Sequence, residues 1–299
     1  LLLNGTDVVS GKRLITSNVT PPSGTQSDNR FTALRLDVLY RSGLAEDAAA
    51  ELAKLPAAND PLFAALAARN ELASGNRDKA CNITKQSARI KGEMTKRLKE
   101  QAILMSGYCA SIADDRAGAG LAAEIAREDG VQQTLALEAL DAISIGAKVK
   151  PAAVKFISLL DYRLAERAGG LPHKDVLEKG EPALLVALSN DPSTPGDLGM
   201  PAAEAAARLN ALAPDTLAAI YRANATSETP DALLSQSSSQ SPLRRAALFK
   251  AAENEKTPQK KTRLIRAFLD DTKRQGLHVQ ALQMVAAAAA AINPQPVVI

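Results

Sequence analysis

Tryptophan is missing from this chain altogether, and only 3% of its 299 residues are aromatic. A β-sandwich or barrel draws its core from Tyr, Phe, Val and Ile. The scarcity of aromatics therefore excludes such a core, while a 46% hydrophobic content carried largely by Ala favours helices packed closely backbone to backbone. Histidine occurs twice and cysteine twice, and neither His173 and His278 nor Cys81 and Cys109 stand at metal-ligand or redox Cys-x-x-Cys spacing. An excess of one charge is lacking too: 36 basic against 33 acidic residues leaves a formal +3, too balanced to advertise a nucleic-acid partner. No apolar run reaches the roughly 18 to 20 residues of a membrane span; the stretch from Met284 to Ile292 is short and mostly Ala. Gly-x-Ser-x-Gly, Walker-type and Gly-x-Gly-x-x-Gly signatures following a strand are also missing. Catalytic residues, metal and cofactor are accordingly not expected.

What is present is one turn used repeatedly. Gly75-Asn76-Arg77-Asp78-Lys79-Ala80 matches Gly43-Leu44-Ala45-Glu46-Asp47-Ala48, Gly276-Leu277-His278-Val279-Gln280-Ala281 and, without the glycine, Ile112-Ala113-Asp114-Asp115-Arg116-Ala117. Each copy ends one amphipathic run and opens another. Gly supplies a left-handed helix stop, and Ala lets the next helix approach its partner. Gly43 and Gly75 are 32 residues apart, near the period of about 34 that repeated helix pairs show. Residues 1–30, rich in turn dipeptides, read as an N-terminal arm whose Val8-Val9 and Leu14-Ile15 form a short helix or an extended stretch. Residues 31–168 read as helix pairs, the last of them 131–145 with 151–168. Residues 169–299, after the break at Gly169-Gly170-Leu171-Pro172, read as shorter helices returning to long pairs in the same array. Within them Pro201 to Leu212 is expected as a helix and 227–241 as a polar connection.

The turn spacing, the small residue after each turn and the apolar period over about residues 31–130 resemble tetratricopeptide-like α-solenoids. In overall character the chain resembles Ala-rich helical-repeat proteins of Alphaproteobacteria. The resemblance implies an all-α fold of stacked antiparallel helix pairs in a right-handed superhelix.

Cys81 falls at the start of one helix and Cys109 at the end of the next, which in an up-down array places both at one edge. Helices packed about 8 to 10 Å apart can then bring the two Cα atoms within disulfide reach; two buried free thiols are the other reading. A disulfide would mean export. Lys79, Lys85, Arg89, Lys91, Lys96, Arg97 and Lys99 form a basic run answered within it by Glu93 alone, and Lys256, Lys260, Lys261, Arg263 and Arg266 form a second. Such a run is a solvated face or a docking strip for an acidic partner. The acidic pairs Asp114-Asp115, Glu128-Asp129 and Asp270-Asp271 are assigned to helix ends, and both histidines to the surface. These features lead to the expectation of a non-catalytic scaffold or adaptor that binds protein partners in a bacterial envelope complex. It would be periplasmic, with a signal or anchor before residue 1, and an oligomer or a member of a larger assembly. The alternatives are the helical superstructure of a peptidoglycan-acting enzyme and a lipid or small-ligand carrier.

Overall fold

The computed structural model describes residues 2–6, 13–17, 26–55, 59–132, 134–150, 154–236 and 241–290. The fold is all-α: sixteen helices lie among these residues and pack on their neighbours in sequence. The exception is a two-stranded antiparallel hairpin, β1 (Leu2–Thr6) and β2 (Arg13–Ser17), registered Leu2 to Ser17 and Thr6 to Arg13. Of the two expectations for the arm, the extended one applies at Leu14-Ile15; Val8-Val9 lie outside the described residues.

The chain divides into two compact units, Val19–Thr194 and Pro195–Ile299 together with Leu1–Asn18. The Gly169–Pro172 break therefore falls inside the first unit. That unit carries α1 (Gln26–Arg41), α2 (Ala45–Leu52), α3 (Pro61–Ala73), α4 (Arg77–Ser87), α5 (Lys96–Ile112), α6 (Arg116–Glu128), α7 (Thr134–Ile145), α8 (Leu159–Arg167), α9 (His173–Lys179) and α10 (Pro182–Asn190). Consecutive helices pair, and α1, α3, α5 and α7 also touch in series, as stacked hairpins require.

Local chemistry explains the helix ends. Gly43 and Gly75 have φ of 86° and 79°, and the amides of Leu44 and Asn76 donate back to Leu39 and Glu71 carbonyls, closing each helix. Asp60 caps α3 through Leu62 N at 2.8 Å, with Pro61 at the first helical position. In the third turn the left-handed residue is Asp114, φ 54°, with Asp115 N donating to Ala110 O. The buried small residue five positions beyond is thus Ala119 and not Ala117, which is exposed. The sequence alignment of this turn was displaced by two residues because it lacks the glycine that marks the stop in the others. Gly107, in mid-helix, has a different reason: an added Cβ would meet Leu140 at 2.7 Å and Ala122 at 2.9 Å, so α5 can lie this close to α6 and α7 only without a side chain.

Three further expectations are corrected. Helix α8 starts at Leu159, not Pro151, because Ser158 and Asp161 form a capping box and Ile157 pairs with Gly180 in a parallel bridge. In the second unit α11 (Gly196–Arg208) starts five residues before Pro201, which sits inside the helix. The polar connection contains α13 (Pro230–Ser235), capped by Thr229 and anchored by the buried Leu233; residues 237–240 lie outside the described ones. The remaining helices are α12 (Pro214–Asn224), α14 (Pro242–Asn254), α15 (Pro258–Arg274) and α16 (His278–Ala290). Here α16 touches α12 and α14 as well as α15, so these helices share one centre. Tyr221, Phe249 and Phe268 occupy it, with ring centroids 5.6 to 6.3 Å apart.

Arginines enter both cores. Arg69 of α3 pairs with Asp37 of α1, bonds Gln101 of α5 at 3.1 Å and stacks 3.9 Å over the Tyr40 ring. Asp37, Arg69 and Gln101 are 32 residues apart in turn, so equivalent positions of three successive hairpins hold one another. Arg163 of α8 reaches Asp191 after α10 at 2.6 Å. In the second unit Arg244 pairs with Asp271 of α15, and Arg245 grips Glu204 of α11 with two bonds of 2.6 and 2.8 Å. The Tyr221 hydroxyl also donates to Glu204, at 2.7 Å. Removing one partner of such a buried pair strands the other charge, whereas replacing the whole set by apolar groups of like volume does not. Arg245→Ala should therefore cost about 3 to 5 kcal/mol in denaturant unfolding. The triple variant Glu204→Leu, Arg245→Met, Tyr221→Phe should recover most of that loss.

Candidate partner-docking surface

Cys81 in α4 and Cys109 in the last turn of α5 are joined as a disulfide, with Cα atoms 5.4 Å apart. The bridge ties the start of one return helix to the end of the next helix, at one edge of the hairpin stack. It fits a non-cytoplasmic protein, since thiols of cytosolic chains are kept reduced. No helix among the described residues is long and apolar enough to cross a membrane.

The basic run lies along the connection from α4 to α5. Lys85 ends α4, Arg89 and Lys91 lie between the helices, and Lys96, Arg97 and Lys99 open α5; all six are exposed. Cations in a first helical turn oppose the macrodipole, and here each of the last three is matched by a carboxylate. Arg97 meets Asp37 at 3.3 Å, Lys96 meets Glu100 at 3.9 Å, and Lys99 pairs with Asp129. Glu93, the acidic residue within the run, is taken by Arg30. Among the described residues Lys85, Arg89 and Lys91 form no ion pair, so three positive groups face solvent uncompensated. Beside the strip a surface groove of about 430 Å³ is lined by Arg30, Phe31, Leu34, Asp37, Arg97 and Leu98, among others. Leu34 is 57% exposed in it. The groove was not visible in the sequence, because Leu34 sits on the apolar stripe that elsewhere turns inward.

Other residues singled out from sequence prove structural. Asp115 caps α6 through Gly118 N at 2.8 Å, and Asp114 pairs with Arg167. Asp271, assigned to a helix end, lies in the last turn of α15, where it is 2% exposed and neutralises Arg244. In the second basic run Lys260 pairs with Asp231. His173 is exposed, but His278 is half-buried with Nδ1 unpartnered, because it opens α16 just after the buried Leu277. The arginines of both cores were missed. Their only sequence signal is the 32-residue spacing of Asp37, Arg69 and Gln101.

Comparison with protein-family models, with curated proteins and with solved structures finds no match for this chain. The class it belongs to is accordingly the one its own structure defines, an all-α protein of helices packed in adjacent pairs.

Two measurements check this geometry. In freshly isolated protein both cysteines should resist thiol labelling until reductant is added, and Cys81→Ser with Cys109→Ser should lose about 3 to 4 kcal/mol of stability for a loop closed over 28 residues. All four tyrosines are buried. Burial raises the pKa of Tyr108 and Tyr162, takes that of Tyr221 well above its ordinary value, and pushes that of Tyr40 up to about 12. Unfolded phenols ionise near 10, so the unfolded state releases protons first and stability falls as pH climbs from about 10 towards 12. Phenolate absorbance should therefore stay low at pH 10 and rise together with loss of the helical signal.

Proposed function

We propose that the protein is a non-catalytic scaffold or adaptor that docks an acidic, partly apolar segment of a protein partner on the α4–α5 strip and the adjoining groove. The observation that carries this reading is that Arg97 of the strip lines an open groove exposing Leu34, in a run whose Lys85, Arg89 and Lys91 form no ion pair among the described residues. Charge of one sign beside an apolar slot suits a segment that presents carboxylates along one edge and aliphatic side chains along the other. The disulfide supports placing this interaction outside the cytoplasm, and a bacterial periplasm is the compartment proposed. An envelope complex of the motility, secretion or cell-wall kind is the proposed client.

The surface gives little support to a sugar-binding module. Seven aromatic side chains, those of Tyr40, Phe63, Tyr108, Tyr162, Tyr221, Phe249 and Phe268, are buried, so they offer no stacking platform.

A photo-cross-linking residue placed at Leu34 in intact cells should give a discrete adduct. Lys85→Glu, Arg89→Glu and Lys91→Glu together should abolish it at unchanged protein level, while the same reversal at the exposed Lys256, Arg263 and Arg266 should leave it intact. An adduct indifferent to both reversals, or none at Leu34, would sink the docking surface.

A further inference from the structure

The first unit contains a cavity of about 40 Å³ enclosed by α1, α3, α4, α5, the start of α8 and Glu181. Its wall is mostly apolar, with Leu72, Met105 and Leu159 among its contributors. Three buried donors belong to residues that line it: the Tyr40 hydroxyl, Arg41 Nε and Arg69 Nε, none with a hydrogen-bond partner. Tyr40 is 4% exposed, and its phenol stays protonated, hence a donor, at any physiological pH. One terminal nitrogen of each guanidinium is engaged, Arg69 Nη1 with Asp37 and Gln101 and Arg41 Nη2 with Glu181 at 3.3 Å, so both side chains are anchored while Nε is left over. An unmet buried donor is costly, and three on residues lining one small space call for an occupant rich in acceptors.

Water can serve here too, because the Thr84 and Ser87 hydroxyls, which donate to backbone carbonyls, can still accept, and Glu181 accepts one bond from Arg41. Each water, however, brings two protons that must find acceptors of their own. A carboxylate carries only acceptors. A cavity of this size admits about three water-sized groups, which matches a molecule of three to five heavy atoms and excludes a lipid chain.

We propose that the cavity is a binding site for a small carboxylate of formate-to-propionate size. Its oxygens accept from Tyr40, Arg41 and Arg69, and its short tail lies against Leu72, Met105 and Leu159. The site does not depend on the docking surface, and each can fail without the other. Because Arg69 also joins α1, α3 and α5, occupancy stiffens the hairpin stack at the point where its first three repeats meet.

The test is calorimetric titration and thermal unfolding of the whole chain with sodium formate, acetate, propionate and benzoate, against sodium chloride at matched ionic strength. The three small carboxylates should raise the melting temperature saturably, as a ligand of the native state does, while benzoate should act no differently from chloride. Tyr40→Phe keeps the ring under Arg69 and removes only the hydroxyl; it should weaken acetate binding about tenfold. Ala68→Leu, which fills the cavity from α3, should abolish binding. Shifts that never saturate and equal those of chloride would overturn the proposal and leave the donors to water. Acetate binding unchanged in Tyr40→Phe would overturn it equally. Should Ala68→Leu fail to fold, the Tyr40→Phe series and the benzoate cut-off still decide the matter.

Discussion

A guanidinium placed among alanines is tolerable only when a carboxylate is buried with it, because the interior cannot replace the water that the charge gives up. Arg69 with Asp37, Arg163 with Asp191, Arg244 with Asp271 and Arg245 with Glu204 all obey this constraint. Arg69–Asp37 and Arg245–Glu204 join helices that are not consecutive, Arg244–Asp271 ties α14 to α15, and Arg163 of α8 holds the end of α10 through Asp191. Small apolar side chains specify neighbours weakly, since one Ala face fits another in many registers. A misplaced helix would strand a charge in the core, so the pairs select the register that the alanines alone leave open.

The same pairs shape what surrounds them. Asp191 illustrates the balance: burial works against its ionised form, yet the hydroxyl and amide of Ser193 and the Arg163 guanidinium hold its carboxyl below the usual range. Asp161, nearby in sequence to Arg163, goes the other way, with burial raising it despite hydrogen bonds from Ser158. In the first unit Arg69 bonds Asp37 and Gln101 through Nη1 and, with Tyr40, lines a small cavity, its Nε unpartnered. In the second, Arg245 and Tyr221 close on a single carboxylate next to the aromatic cluster, a compact centre rather than a series of hairpins.

Surface chemistry follows from where such pairing stops. At the entrance to α5 the cations nearest the core find Asp37, Glu100 and Asp129. Among the described residues Lys85, Arg89 and Lys91 form no ion pair, and the apolar neighbour of the strip is the outer face of α1. Charge and greasy surface meet at one edge of the stack, the arrangement that steers a partner electrostatically and then holds it by burial.

Helix pairs, their left-handed glycine stops and the shared edge of Cys81 and Cys109 were all legible in the sequence, because each is decided by residues within one turn or by the period between turns. Misreadings came where a nonlocal contact or an unmarked turn overruled the local pattern: Asp114 stopping a helix in place of glycine, Ile157 held by Gly180 ahead of α8, Pro201 carried inside α11. Which arginines turn inward, which leucine turns outward at Leu34, and which unpartnered donors line a cavity were decided by tertiary structure alone. A side chain's burial depends on the helices that pack over it, and those come from positions 27 to 140 residues away whose partnership no local pattern records.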